Sequence, residues 1–525
     1  MRIHQPAIRT ASRVTIIGAG IGGLTAAVDL AARGLDVRVL ERADSVGGKM
    51  RRVPSPLGGI DAGPTVFTLR GVFDDLFADA GARLEDRIEL EPLEVLARHA
   101  WLPSGTHRRD TLDLFADVDR AADAIGDFAG AANADGYRRF ARDTEAMFMT
   151  LDAPFMRAQR RGPLSLTLAI GLRRIGDLIR TRPFTTLWSA LADYFPDPRL
   201  QQLFGRYSTY CGASPFAAPA TLMLIAHAER AGVWRIRGGM QGIADALETL
   251  AREHGARFSL GCAADRIETL GGRVTAVITE HGERIETDAV IVNADAAALA
   301  GGLLGESVAT ALPRPDPAQR SLSAVTWTGS VRSSGFPLAH HTVFFSSDYR
   351  SEFESILDTR QLPRDPTVYV CAQDRTDADP APNGSERVLM LVNAPADGDR
   401  RAFTESEISI CREHMLCRLE RNGLTMEPTG EDLIATTPNQ FEAAFPATGG
   451  ALYGRAVHGF MGSFRRPGSR TRVRGLYLAG GSVHPGAGVP MVAISGRLAA
   501  ATLMTDLAST SASRRGATSG GTSTD

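Results

Sequence analysis

Arg13 to Met50 reads RVTIIGAGIGGLTAAVDLAARGLDVRVLERADSVGGKM. Val14 to Ile17 is a short apolar, β-branched run with the pattern of a strand. Gly18, Gly20 and Gly23 then form G-x-G-x-x-G ahead of the helix-like LTAAVDLAARG, and DVRVLE reads as a second strand. This is a βαβ unit. Gly18 permits the tight turn, Gly20 lets the backbone approach a pyrophosphate, and Gly23 lets the helix pack close to the strand, with the helix N-terminus facing the phosphate charge. Glu41 ends the second strand about 20 residues on, where a carboxylate accepts hydrogen bonds from ribose hydroxyls and repels a 2′-phosphate. Glycines also serve plain turns, but strand, glycines, helix, strand and acid in this order specify a dinucleotide site.

A second glycine pair, Gly47-Gly48, follows Glu41 closely and precedes Lys49, Arg51 and Arg52. A simple nicotinamide site needs nothing special there. A buried FAD presents more pyrophosphate and ribityl surface, and a Gly-rich turn with a cation supplies backbone N–H groups and charge to cover it. Gly48 and Lys49 are the candidates for that role.

Composition sets the outer limits. A chain of 525 residues is long enough for two or more domains, and 58 Lys and Arg against 60 Asp and Glu leave a net charge of −2, so nothing in the balance points to nucleic acid. Five scattered cysteines without C-x-x-C spacing argue against a disulfide framework or a zinc site and for a reducing compartment. No H-E-x-x-H, G-x-S-x-G or P-loop motif occurs, and no metal site is expected. The opening MRIHQPAIRTAS lacks the apolar core of a signal peptide, and no run is expected to span a bilayer.

The expected fold class is α/β, a Rossmann-type FAD-binding domain with a mixed α+β substrate domain inserted. Residues 13–70, 232–310 and 470–507 are assigned to a discontinuous FAD-binding domain. Residues 71–231 and 311–469 are assigned to the substrate and membrane-associating part, and the Ser/Thr/Gly-rich 508–525 to a disordered tail. Val72 to Tyr210 reads mostly as helix, RVTAVITEHGERIETDAVIVNAD as a hairpin feeding a buried strand, and the segment from Gly475 onward as strand, Gly/Pro turn and helix.

These features together carry a family resemblance. The Arg13–Met50 stretch resembles the opening of the FAD-containing amine oxidase and carotenoid desaturase superfamily, in which an acid is followed by a Gly-Gly-Arg/Lys turn. DAGPTVF, GVWRIRGGMQGIADAL and LAGGSVHPGAGVPMVAISGRLAA are similar to segments of the bacterial carotenoid desaturases, and the likeness covers about Val14 to Leu507. PDPRLQQLFGRYSTYCGASPFAAPA, GSVHPGAGVPMVAISGRLAA and the Met of GGMQG are most similar to the 1-hydroxycarotenoid (hydroxyneurosporene) 3,4-desaturases. The resemblance implies that Glu41 binds the adenosine ribose, Lys49 the phosphate region, Pro64 and Thr65 the flavin side, and the backbone of Ala264 the adenine. It places Gly480, Gly481, Val489, Pro490 and Met491 around the flavin. Ser482 stands where many relatives carry an acid, which puts a ribityl contact there in doubt.

The implied reaction removes two hydrogens from a C–C bond next to a polyene, as hydride to flavin N5 and a proton. The polyene delocalises the developing allylic cation, so an apolar tunnel with few polar groups is expected. His227 and Glu229 are the candidates for proton handling, against the alternative of a solvated helix face or a satisfied core site; His484 is read as shaping the cofactor turn. From Met156 to Tyr194 many arginines sit among apolar residues, and Leu168, Leu172, Ile175 and Ile179 fall on one helical stripe. Such a basic amphipathic helix is expected to lie on an anionic membrane, at the cytoplasmic face of a bacterial inner membrane. The partners implied are a lipophilic carotenoid, the membrane surface, and oxygen or a quinone as electron acceptor. Phytoene desaturase, FAD-dependent amine oxidase and a non-catalytic FAD-binding escort protein are the alternatives.

Overall fold

The computed structural model of the chain describes residues 12–103, 110–171, 175–376, 384–430 and 432–518. Five parallel strands form one sheet in the order Leu476–Leu478, Ala289–Val292, Arg13–Ile17, Asp36–Leu40, Arg257–Ser259. Ala289–Val292 is buried throughout, and Val14 to Ile17 of the central strand are buried too, which is why both read as unbroken apolar runs rather than alternating ones. Helix Ile21–Ala31 is buried along its whole length. It packs against helix Gln241–Glu253 and the last helix, Val489–Thr518, and a Cβ on Gly496 would lie 2.2 Å from the Gly22 carbonyl oxygen.

All five of these strands come from 13–70, 232–310 and 470–507. A second sheet of eight strands is drawn wholly from 71–231 and 311–469, with Ser323–Gly335 at its centre of pairing and His341–Phe344 running parallel to Val95–Ala100. The expected hairpin before Ala289 is present as Ala264–Leu270, Arg273–Thr279 and Arg284–Glu286. Strands Val95–Ala100 and Thr111–Phe115 correct the mostly helical reading of Val72 to Tyr210. They are short and finish one side of the second sheet, so their alternating pattern is too brief to stand out from the surrounding helices.

Three further expectations change. Residues 508–518, assigned to a disordered tail, continue the last helix to Thr518, because this Ala/Ser/Arg-rich stretch can extend a helix already nucleated in the core. Val489–Ser509 has the length and the mean hydropathy of 1.2 of a membrane-crossing helix, contrary to the expectation of none. In the fold, however, Ala493, Ala499, Ala500 and Leu503 are buried in the core around the parallel sheet. The basic amphipathic stretch is not one helix: Pro163–Ile170 ends at Gly171, with φ +90°, and Ile175–Arg180 follows. Leu172, Arg173 and Arg174 lie outside the described residues.

Candidate active site

The two N-terminal glycine turns are built against each other. Gly20 and Gly47 form a parallel bridge, and the Gly47 N–H donates to the Ala19 carbonyl at 2.9 Å. A Cβ on Gly23 would stand 2.1 Å from the Gly18 oxygen, one on Gly47 (φ +113°) 2.4 Å from the Met50 oxygen, and one on Gly48 (φ +60°) 3.2 Å from Gly20 Cα. The second pair therefore has a structural reason of its own, the close packing of a second backbone turn beside the first.

Asn293, which the sequence reading passed over, lies where these turns meet the C-terminal one. Its Nδ2 donates to the Gly18 carbonyl at 3.3 Å, while its Oδ1 is buried without a hydrogen-bond partner. A Cβ on Gly22 would be 2.6 Å, and one on Gly480 3.0 Å, from that oxygen. The only local clue in the sequence is an Asn directly after the buried strand AVIV.

Glu41 is buried, and its carboxylate accepts from the N–H groups of Ala19 at 2.7 Å and Ala43 at 2.9 Å. With about four lone-pair sites a carboxylate keeps capacity for ribose hydroxyls beside those two bonds. Ala264 begins the hairpin strand two residues after Cys262, whose N–H donates to the Glu41 carbonyl, so its backbone does run past the Glu41 end of the sheet. Lys49 points elsewhere: its ammonium donates to the Leu452 carbonyl at 2.6 Å and sits 5.3 Å from the centre of the Phe445 ring. Burial lowers its pKa, with Asp295 opposing and Arg466 adding to the fall.

DAGPTVF and GGMQG are similar to family segments, and here they hold one another. Asp61 accepts the Met240 N–H at 2.7 Å, and Gln241 donates to the Val46 carbonyl at 2.7 Å, tying the GGMQG turn to both loops. Burial pushes the Asp61 carboxyl up, against the pull of the Met240 N–H. Gly63 packs on the Lys49 carbonyl, which sets the course of Pro64 and Thr65. The Thr65 hydroxyl meets Tyr369 Oη at 2.7 Å, and Tyr369 Oη meets His341 Nδ1 at 2.8 Å.

At the other end, Gly480 adopts φ +115°, and the Gly481 carbonyl accepts from the fully buried Arg466 at 2.6 Å. Ser482 Oγ accepts the Ala296 N–H at 2.9 Å, so it serves the turn itself. His484 Nε2 lies 2.8 Å from the Phe155 carbonyl and 3.1 Å from that of Ala158, fastening the turn to the helical region as expected of a shaping residue. Val489, Pro490 and Met491 open the last helix and form one wall of a cavity of about 680 Å³. Val66, Thr68 and Leu69 line it from the loop after Thr65; Phe148, Leu151 and Met156 line it from the helical part.

The pair proposed for proton handling separates. Successive helical residues turn by about 100°, so positions two apart point to nearly opposite sides. Glu229 lines the cavity. His227 does not: it lies against the Phe148 ring, 4.9 Å between centres, with Nδ1 3.0 Å from Arg230, and burial and Arg230 lower its pKa. Glu229 is buried and accepts from Tyr207 and, at 3.1 Å, from Tyr210. Burial raises its pKa, and the two phenols and Arg206 oppose the rise.

The residues present fit FAD. Gly20 supplies no side-chain cap, which leaves the first N–H groups of helix Ile21–Ala31 for a phosphate. Asn293 Oδ1 adds an unpartnered acceptor between the N-terminal and C-terminal turns. Turns, acid and apolar cavity define a flavin-dependent oxidoreductase. The chain belongs to the flavin containing amine oxidoreductase family, which it matches over residues 21–504, and to the carotenoid desaturases within it. It is 52% identical to the hydroxyneurosporene desaturase of Rubrivivax gelatinosus, with 98% of this chain and 97% of that one covered. It is 43% identical to that of Cereibacter sphaeroides, covering 95% and 99%. Among solved structures, an oxidoreductase from Methanosarcina mazei has the same fold with a TM-score of 0.58 at 17% identity, covering 92% of this chain and 99% of that one. Putrescine oxidase bound to putrescine also gives 0.58, at 14% identity and coverage of 95% and 99%.

Proposed function

We infer that this chain is an FAD-dependent carotenoid desaturase that introduces the C-3,4 double bond into 1-hydroxycarotenoids of the hydroxyneurosporene type. The observation that carries the reading is the large apolar cavity whose wall is the first turn of the last helix, in a chain 52% identical to a hydroxyneurosporene desaturase. Bound FAD would supply the hydride acceptor. Gly18, Gly20, Gly23 and Glu41 would hold its nucleotide half, and Thr65 and the turns at Gly480 and Val489 its other end. The chain's own work is then positional. Apolar walls exclude water and align the polyene, which spreads the developing positive charge itself. Glu229 is the carboxyl among the described residues lining the cavity and the group nearest in kind to a proton acceptor.

The route in is read from the rim. Leu164, Leu168, Ile179 and Phe184 are exposed by 76%, 63%, 68% and 82%, and Ile179 and Phe184 line the cavity as well. Apolar side chains set out in water around an apolar opening favour docking on a membrane that holds the lipophilic substrate. Peripheral placement at the cytoplasmic face of the inner membrane, with oxygen or a membrane quinone as electron acceptor, agrees with that opening. Pigment analysis of cells making neurosporene and its 1-hydroxy derivative, with and without the protein, tests the reading. It stands if the hydroxylated carotenoid gains one double bond, and it falls if phytoene alone is consumed or no carotenoid changes.

A further inference from the structure

A 3,4-desaturase of 1-hydroxycarotenoids must place its substrate's hydroxyl beside the flavin, not at a distant end. The oxygen is three bonds from C3, so at about 1.5 Å per bond it lies within roughly 5 Å of the reacting carbons. An apolar wall there would strip the hydroxyl of its hydrogen bonds with nothing in return. The cavity must therefore carry an acceptor at its flavin end.

We propose that Glu229, clasped by Tyr207 and Tyr210, accepts the hydrogen bond of the substrate's tertiary hydroxyl and so selects hydroxylated carotenoids. Glu229 is the one carboxylate among the described lining residues, and the other charged ones are Arg466 and Arg182, the latter next to the exposed rim. Its neighbours reach both flavin-facing segments. On one side the Arg206 guanidinium lies 5.5 Å from the Tyr210 ring and 5.4 Å from the Tyr369 ring, and Tyr369 Oη is bonded to Thr65. On the other, Cys211 follows Tyr210 and lines the same cavity as Arg466, which holds the Gly481 carbonyl. The two tyrosines donate to the carboxylate, and Arg206 offsets the cost of burying it. Two phenol donors leave lone pairs on a carboxylate for a third donor. A hydroxyl on the substrate is such a donor; a hydrocarbon end is not.

The inference rests on the 3,4-desaturase reading, and one experiment separates their failures. FAD-loaded wild type, Glu229→Leu and Glu229→Gln are compared on 1-hydroxyneurosporene and on neurosporene in vesicles, with double-bond formation read by chromatography. Wild type should prefer the hydroxylated substrate. Glu229→Leu should lose about 100-fold in kcat/KM on it and stay within about threefold on neurosporene, collapsing the preference. Glu229→Gln, which keeps an acceptor oxygen, should fall between them, and decides the matter if the leucine variant does not hold flavin. A purely structural role would lower both substrates alike and leave the ratio unmoved, which would overturn the proposal. A wild type that converts neither substrate would overturn the desaturase reading itself.

Discussion

Asn293 Nδ2 donates to the Gly18 carbonyl at 3.3 Å, and the same side chain presents a buried, unpartnered Oδ1 0.4 Å nearer than van der Waals contact to where a Cβ on Gly480 would stand, at 3.0 Å. One side chain thus joins turns that are nearly two hundred residues apart. Replacing Asn293 by Ala removes one acceptor and one donor at this junction, and FAD affinity should fall about tenfold, the worth of roughly one hydrogen bond. Flavin-fluorescence titration of the apoprotein checks it; unchanged affinity would remove Asn293 from the cofactor site.

Gly47 and Gly34 both have positive φ, +113° and +79°, but only Gly47 is crowded: its Cβ would meet the Met50 oxygen at 2.4 Å, whereas nothing lies within 4 Å at Gly34. Gly34→Ala should cost about 1 kcal/mol of backbone strain and retain flavin. Gly47→Ala should cost several kcal/mol or yield flavin-free protein. Equal stabilities of the two variants in urea would show that the two glycine turns do not need their close approach.

Glu352 is buried with its Oε2 accepting from Thr367 at 2.6 Å and its Oε1 without a partner, and burial raises its pKa to about 7. A carboxyl whose folded pKa lies above its unfolded value holds more protons when folded. Its contribution is complete below about pH 4.5 and is lost as pH rises toward 7. Glu352→Gln should match wild type near pH 5 and exceed it by up to about 3 kcal/mol at pH 8. Denaturation curves across that range check the sign, and a wild-type advantage at pH 8 would contradict it.

Leu168, Ile179 and Phe184 are exposed around the cavity. Changing all three to Ser should leave folding within about 1 kcal/mol, because no burial is lost, and should abolish flotation with vesicles. Activity on detergent-dispersed carotenoid should survive. Undiminished flotation would place membrane contact elsewhere.

What could be read from the residues was what is local. Gly18, Gly20, Gly23 and Glu41 sit in one βαβ unit of contiguous sequence, and the Gly47-Gly48 turn follows within a few residues, so spacing alone revealed them. Asn293, Arg466 and the Tyr207–Tyr210–Glu229 group are ordinary residues until the fold brings distant segments together. His227 was misplaced because composition proposed the pair while helical geometry sends the two side chains apart. The break at Gly171 was visible as a glycine, yet the apolar stripe was read through it, since one glycine costs a helix only about 1 kcal/mol. Strands 95–100 and 111–115 are defined by their partners in the second sheet, and that pairing is not written in either segment.

The most direct measurement mixes the FAD-loaded protein with 1-hydroxyneurosporene in the absence of oxygen and follows flavin absorbance and carotenoid together. The account predicts that the flavin bleaches and that one C-3,4 double bond appears per flavin reduced. Flavin that stays oxidised with the carotenoid unchanged, or that bleaches only with an amine, would contradict it.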